Sequence, residues 1–179
     1  FYTWVKSVAQ GDLGVSIFSN LPVTKLIGQR IEPTLMLSLF TIVIAISVAI
    51  PLGVLAAWKS RTFIDRFAMI FAVLGFSVPV FVIGYFLMYV FAIQLKWLPV
   101  QGYKHLADGL LPCLRSLVLP SIALGIVYIA LIARITRASV LEVLAEDYIR
   151  TAKAKGLSSR VVLTRHALKN AAVPIVTII

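Results

Sequence analysis

Three long stretches without one charged side chain limit what this chain can fold into. They run over 35–58, 67–95 and 116–133, which is 24, 29 and 18 residues. At 1.5 Å per residue the first is about 36 Å long as a helix, enough to cross a hydrocarbon core with some tilt. Lipid offers backbone groups no water, so stretches of this length must satisfy themselves as helices. A transmembrane barrel would show segments of about ten residues alternating in polarity, and these do not alternate. Composition agrees, since 60% of residues are hydrophobic and 13% charged, leaving too little polar surface for a soluble domain. The expected fold class is all-α, a polytopic helical membrane protein.

The second stretch exceeds what a span needs and carries Phe76-Ser77-Val78-Pro79 near its middle, which predicts a kink or local unwinding there. The third is short, but Arg115 and Arg134 bracket it and their long side chains can snorkel to the headgroups. A further apolar run starts near Ala171 and reaches Ile179. Its nine residues are half of what a crossing takes, so 171–179 reads as the start of another span. The first residue is Phe1, and 1–34 is neither a signal peptide nor a span. The chain is therefore expected to be an internal piece of a longer protein.

Lysine and arginine orient the spans. Segments 1–34 and 96–116 hold three each, whereas 59–66 holds three and 134–170 holds eight. Eleven against six places 59–66 and 134–170 in the cytoplasm and 1–34 outside. Trp58 and Trp97 fall at the predicted interfaces, where amphipathic aromatics are favoured.

Several chemistries are excluded. The net charge of +10 is confined to gaps between apolar runs, which is not the basic stripe of a nucleic-acid binder. Cys113 is the sole cysteine and the two histidines lie far apart, so neither a disulfide framework nor a metal site is spaced for. The spans hold no Asp, Glu, Lys, Arg or His for a proton relay or catalytic dyad. No nucleophile elbow, zinc-protease motif or phosphate-binding G-x-x-x-x-G-K-[S/T] loop occurs. The chain is expected to be no enzyme, with no catalytic, cofactor or metal residues. Any ATP driving it must be bound by another chain.

The segment 134–170 reads as helix, break, helix. Residues around 140–155 are good helix formers, Gly156 suits a left-handed cap, and Ser158 can cap a second helix running to about Asn170. Tyr148, Ile149 and Ala152 share one face, with Arg150 and Lys153 on another. On physics alone two readings stay open: a basic amphipathic segment resting on anionic lipid, or a surface on which another protein docks. The first would make the chain a membrane-anchored scaffold or enzyme subunit.

The pattern Asp147-Tyr148-x-Arg150-Thr151-Ala152-Lys153-Ala154-Lys155-Gly156-Leu157, followed by Arg165-His166-Ala167-Leu168-x-Asn170, resembles the coupling loop of bacterial binding-protein-dependent ABC importers. Gly11-Asp12-Leu13-Gly14, Pro51-Leu52-Gly53-Val54, Ser77-Val78-Pro79-x-Phe81, Trp97-Leu98-Pro99, Leu119-Pro120 and Arg134-x-x-Arg137 look like that family in the same order. Where the wider family has Glu-Ala-Ala before the glycine, this chain has Arg150-Thr151-Ala152, which is similar to the dipeptide and oligopeptide branch. The resemblance implies a six-helix permease subunit of the inner membrane. It would be paired with a second permease, two ATP-binding subunits and an outer solute-binding protein, and would carry a peptide-like cargo. It further implies that Asp147, Tyr148, Thr151, Ala152, Ala154, Lys155, Gly156 and Leu157 dock on the ATPase.

Other residues carry weaker readings. Ser77 and Pro79 would mark a flexible point on the translocation path, or only helix-packing geometry. Tyr85 and Tyr89, four apart, would line the pore or pack at an interface. Asp12 sits in an outer turn that could meet a binding protein. His166 reads as a packing or hydrogen-bonding residue. Arg134 and Arg137 read as headgroup anchors, or as partners for Glu142, Glu146 or Asp147.

Overall fold

The computed structural model of the chain describes residues 1–179, with every side chain except that of Thr3. A short α1 (Tyr2–Ala9) leads through turns to α2 (Val23–Trp58), and α3 (Phe63–Ser77) follows a four-residue connection. Next come α4 (Val80–Leu87), which continues as the π-helical turn Met88–Gln94, and α5 (Leu110–Ala145). The chain closes with α6 (Asp147–Ala154), α7 (Ser159–Val161), the π-helical segment Val162–Ala167 and α8 (Leu168–Thr177). Among the described residues there is no strand.

Helices α2 and α5 form the frame. Each has 36 residues, about 54 Å, so both continue well past their apolar stretches. The buried face of α2 is Thr41, Ala45, Ala49, Gly53, Ala56 and Ala57, small side chains spaced by three or four. Lipid tails are as apolar as leucine, so membrane helices associate through close backbone approach rather than hydrophobic burial, and small residues permit that approach. Gly53 shows the limit. A Cβ there would lie 2.6 Å from the Ala133 carbonyl oxygen and 2.6 Å from the Thr136 Cβ. On a neighbouring face of α5, Gly75 of α3 seats against Ala130, where an added Cβ would come within 3.1 Å of its methyl. Large side chains such as Leu35, Leu39, Phe67, Ile70 and Phe86 point away from this contact and are exposed.

The stretch 67–95 is not one straight helix. Helix α3 and the run from Val80 to Gln94 meet at an angle of 101°. The break falls where the sequence puts it, and its cause is local. Pro79 has no N–H to continue the ladder, and the residue before a proline is pushed out of the helical region. Val78 accordingly sits at φ −91°, ψ 123°. Ser77 Oγ donates back to the Val73 carbonyl at 2.9 Å, satisfying one acceptor at the exposed helix end.

Polar contacts tie the loops together at the two ends. At one end Glu32, just outside the apolar part of α2, gathers the connection before α5. Its carboxylate accepts from the Leu106 amide at 2.9 Å and from the Tyr103 hydroxyl at 3.0 Å, with His105 Nδ1 3.0 Å away. These contacts, the Leu106 amide foremost, hold its carboxyl well below the usual carboxylate range. At the other end Asp65 of α3 meets Arg137 of α5. Segments 1–34 and 96–116 therefore share one end and 59–66 and 134–170 the other, the pairing that the charge count requires.

Sidedness is open to a direct test. Cys113 is fully buried, so the native thiol gives little background. A cysteine at Gln101 should react with a membrane-impermeant thiol reagent in intact cells, and cysteines at Thr62 or Ser159 only after the membrane is opened. Labelling of Ser159→Cys from outside would invert the orientation.

Candidate functional site: the loop beyond α5

Helix α5 does not stop at the membrane. It runs on for about three turns past Ala133 before ending at Ala145. Glu146 turns the chain with φ −66° and ψ 149°, so the helix expected over 140–155 is two helices meeting at that residue. Asp147 then stands in the first turn of α6 and Lys153 in its last, both favourable to the helix dipole. Arg150 reaches Asp147 at 3.2 Å, an exposed pair that contributes little.

The end of α6 is set by Gly156. The Leu157 amide donates to the Ala152 carbonyl at 3.3 Å and the Gly156 amide to the Lys153 carbonyl at 3.0 Å. That double pattern closes a helix with its following residue in the left-handed region, and Gly156 has φ +81°. Nothing lies within 4 Å of where its Cβ would be, so glycine is required here by backbone conformation, not by space. Ser158 caps the next helix, its Oγ accepting from the Val161 amide at 3.5 Å. That helix passes through the π-helical segment and runs to Thr177 rather than ending near Asn170.

The loop has its own small core. Ile149 and Ala152 pack against Val162 and Leu144, and Asn170 Nδ2 donates to the Tyr148 hydroxyl at 2.6 Å. Leu163, Ala167, Ala171 and Ile175 pack in turn on Val140 and Ala57, so α6 and α8 are both anchored to the base of the α2–α5 frame. Of the residues singled out from sequence, Ala152 is buried and gives the loop its shape. Asp147, Tyr148, Thr151, Ala154, Lys155, Gly156 and Leu157 are exposed and form one surface around the turn.

The other candidates are distributed differently. Tyr85 lines a 450 Å³ cleft with Pro33, Tyr103, Ser116 and Pro120, at the end where Glu32 holds the loop. Ser77 and Pro79 lie at the α3–α4 break and not on that cleft. Tyr89 accepts a hydrogen bond from Gln94 Nε2 at 2.8 Å within the π-helical turn. The two arginines beyond the third apolar stretch are not free anchors. Arg137 donates to both oxygens of Asp65, from Nη2 at 2.8 Å and from Nε, and the Arg134 guanidinium stands 5.5 Å over the Phe76 ring. Neither uses Glu142, near the end of α5, Glu146 at the turn or Asp147 beyond it.

Asp65 and Glu32 were missed by reading motifs. A signal existed for Asp65. It is the one carboxylate between Glu32 and Asp108, set beside Lys59, Arg61 and Arg66. It is 4% exposed and lies just before an apolar span, where a carboxylate persists only with a partner.

Long apolar helices packed through small residues, with a capped helical loop beyond one end, define a polytopic helical membrane subunit. The chain belongs to the family described as the inner membrane component of binding-protein-dependent transport systems, whose model matches residues 49–179. It is 53% identical over 179 residues to the probable peptide ABC transporter permease protein y4tP of Sinorhizobium fredii, covering all of this chain and 57% of that protein. It is 42% identical over 178 residues to the glutathione transport system permease protein GsiC of Shigella flexneri, covering 99% and 55%. To the dipeptide transport system permease protein DppB of Alkalihalophilus pseudofirmus it is 36% identical over 196 residues, covering 98% and 59%. The chain thus spans a little over half the length of the curated relatives it matches. Of the two readings of class, family membership supports a transport component of the inner membrane.

Proposed function

We propose that the full-length protein is the permease subunit of an ATP-driven importer of short peptides or peptide-like molecules. Its membrane helices form part of the translocation path, and the loop from Asp147 to Leu157 docks on a separate ATP-binding subunit. The observation that carries the docking role is the exposed turn around Gly156, held by a packed Ile149–Ala152–Val162 core at the far end of α5. A segment serving only lipid contact has no need of a fixed turn. A docking element does, because the partner must meet the same surface in every cycle.

The assembly would comprise a second permease, two ATP-binding subunits and an outer solute-binding protein. ATP would bind and be hydrolysed on the partner chains, and their closure would tilt this loop and switch the path between outward and inward access. The family description and the names of the relatives support this reading, as does the lack of a phosphate-binding loop in these 179 residues.

The test is reconstitution. The full-length subunit purified alone should show no ATP turnover above background, and turnover with peptide uptake should appear once the ATP-binding subunits are added. Robust hydrolysis by the isolated subunit would place the protein in another class.

A further inference from the structure

Helix α3 is fastened to α5 by side-chain contacts near both of its ends, whereas α4 packs on α5 without a hydrogen bond or ion pair to it. At the loop end, Asp65 and Arg137 make a two-pronged ion pair, with Asp65 Oδ2 accepting a second bond, from the Arg61 amide, at 2.9 Å. Paired hydrogen bonds between a planar guanidinium and a carboxylate fix orientation as well as distance. Near the other end, Gly75 lies directly on Ala130, and Arg134 covers the Phe76 ring. Two residues later the chain breaks at Val78-Pro79 and turns through 101°. Helix α4 has no buried residue of its own, and it carries Phe81, Gly84 and Tyr85 into the 450 Å³ cleft. Helix α5, finally, continues without interruption into the turn that starts α6.

We propose that α3 and α5 form a single rigid lever, locked by the Asp65–Arg137 pair and the Arg134–Phe76 contact, with residues 77–79 as the hinge through which displacement of the α6 loop is delivered to α4 and its cleft. This rests on the reading of the loop as the docking element. Asp65 and Arg137 are positioning residues, touching neither cargo nor nucleotide. The ion pair makes α3 follow α5, and the break confines relative motion to the helix beyond it. The hinge needs no glycine, because Pro79 has already removed the hydrogen bond that would resist bending there.

The experiment uses the assembled transporter of full-length subunits in lipid nanodiscs, with spin labels in pairs at Val73 and Ala138, and at Phe86 and Ala138. On adding a non-hydrolysable ATP analogue, the Val73–Ala138 distance should stay fixed and the Phe86–Ala138 distance should change. Uptake and ATP hydrolysis are then compared in Asp65→Asn and in the reversal Asp65→Arg with Arg137→Asp. Asp65→Asn should raise the ATP consumed per peptide imported by about fivefold or more. The reversal should bring the ratio back towards that of the unmodified transporter. A Val73–Ala138 distance that changes as much as the other pair overturns the lever. So does a loss of uptake and hydrolysis in step with the amount of assembled complex, the mark of a merely structural pair. So does a Phe86–Ala138 distance that does not move in a complex that still imports. Failure of the ATP-binding subunits to co-purify with the unmodified permease would instead count against the docking reading itself, and would remove the basis of the lever with it.

Discussion

Gly53→Val is expected to deplete the folded subunit from the membrane, while Gly28→Ala in the same helix leaves it intact. The new Cβ would meet the Ala133 carbonyl oxygen and the Thr136 Cβ at 2.6 Å each, and neither is the movable end of a side chain. The α2–α5 contact must therefore open, and overpacking of this kind costs about 1–3 kcal/mol or more. The loss spreads, because α2 against α5 is the frame on which α3 and α8 are packed. At Gly28 a Cβ meets nothing within 4 Å, and replacing a helical glycine by alanine gains roughly 0.5–1 kcal/mol. Thermal unfolding in detergent, followed by retention on a sizing column, should rank Gly53→Val lowest, then the unmodified protein, then Gly28→Ala. Equal stability of the two variants would mean that the close α2–α5 approach does not hold the fold.

Gly156→Val should act on transport and spare assembly of the membrane helices. Its side chain has open space around it, so the whole effect is conformational. A β-branched residue held at φ +81° is strained by about 1–2 kcal/mol. The bonds from the Leu157 and Gly156 amides to α6 are the first to give way. The exposed surface from Thr151 to Leu157 then loses its fixed shape, while the α2–α5 contact is untouched. Uptake by the reconstituted complex should fall to near background although the permease pair still co-purifies. Gly156→Asn is the informative companion, because asparagine tolerates the left-handed region far better than valine and should retain much of the uptake. Near-normal uptake by an intact Gly156→Val complex would remove the coupling role from this turn.

Much of this was written in local chemistry. Long uncharged runs permit only helices in lipid, and Ser77-Val78-Pro79 carries its break in the missing proline N–H. Gly156 with Ser158 encodes a helix stop and restart at two neighbouring positions. What the sequence did not disclose depends on contacts between distant segments. Arg137 reads alone as a headgroup anchor, because the carboxylate that receives it is 72 residues away. Glu32 gathers Tyr103, His105 and Leu106 across more than 70 residues, with no motif to mark them. Ala152 has the small side chain expected of a docking face, yet its register on α6 turns it to Val162 and Leu144. The length of α5 was also hidden. Arg134 and Arg137 end the apolar run without ending the helix, since their charges are met by Phe76 and Asp65.

If the loop docks as proposed, the surface around Gly156 touches an ATP-binding subunit. A photoreactive phenylalanine analogue placed at Leu157, and separately at Lys155, in the complete transporter would trap that contact. Both side chains are exposed on the turn, and neither takes part in the Ile149–Val162 core. On illumination each should give a covalent adduct with the mass of permease plus ATP-binding subunit, while the same probe at Gln101, at the opposite end of the molecule, gives none. Adducts with lipid alone from both positions, in a complex shown to be assembled, would mean that the turn rests on the bilayer and does not dock.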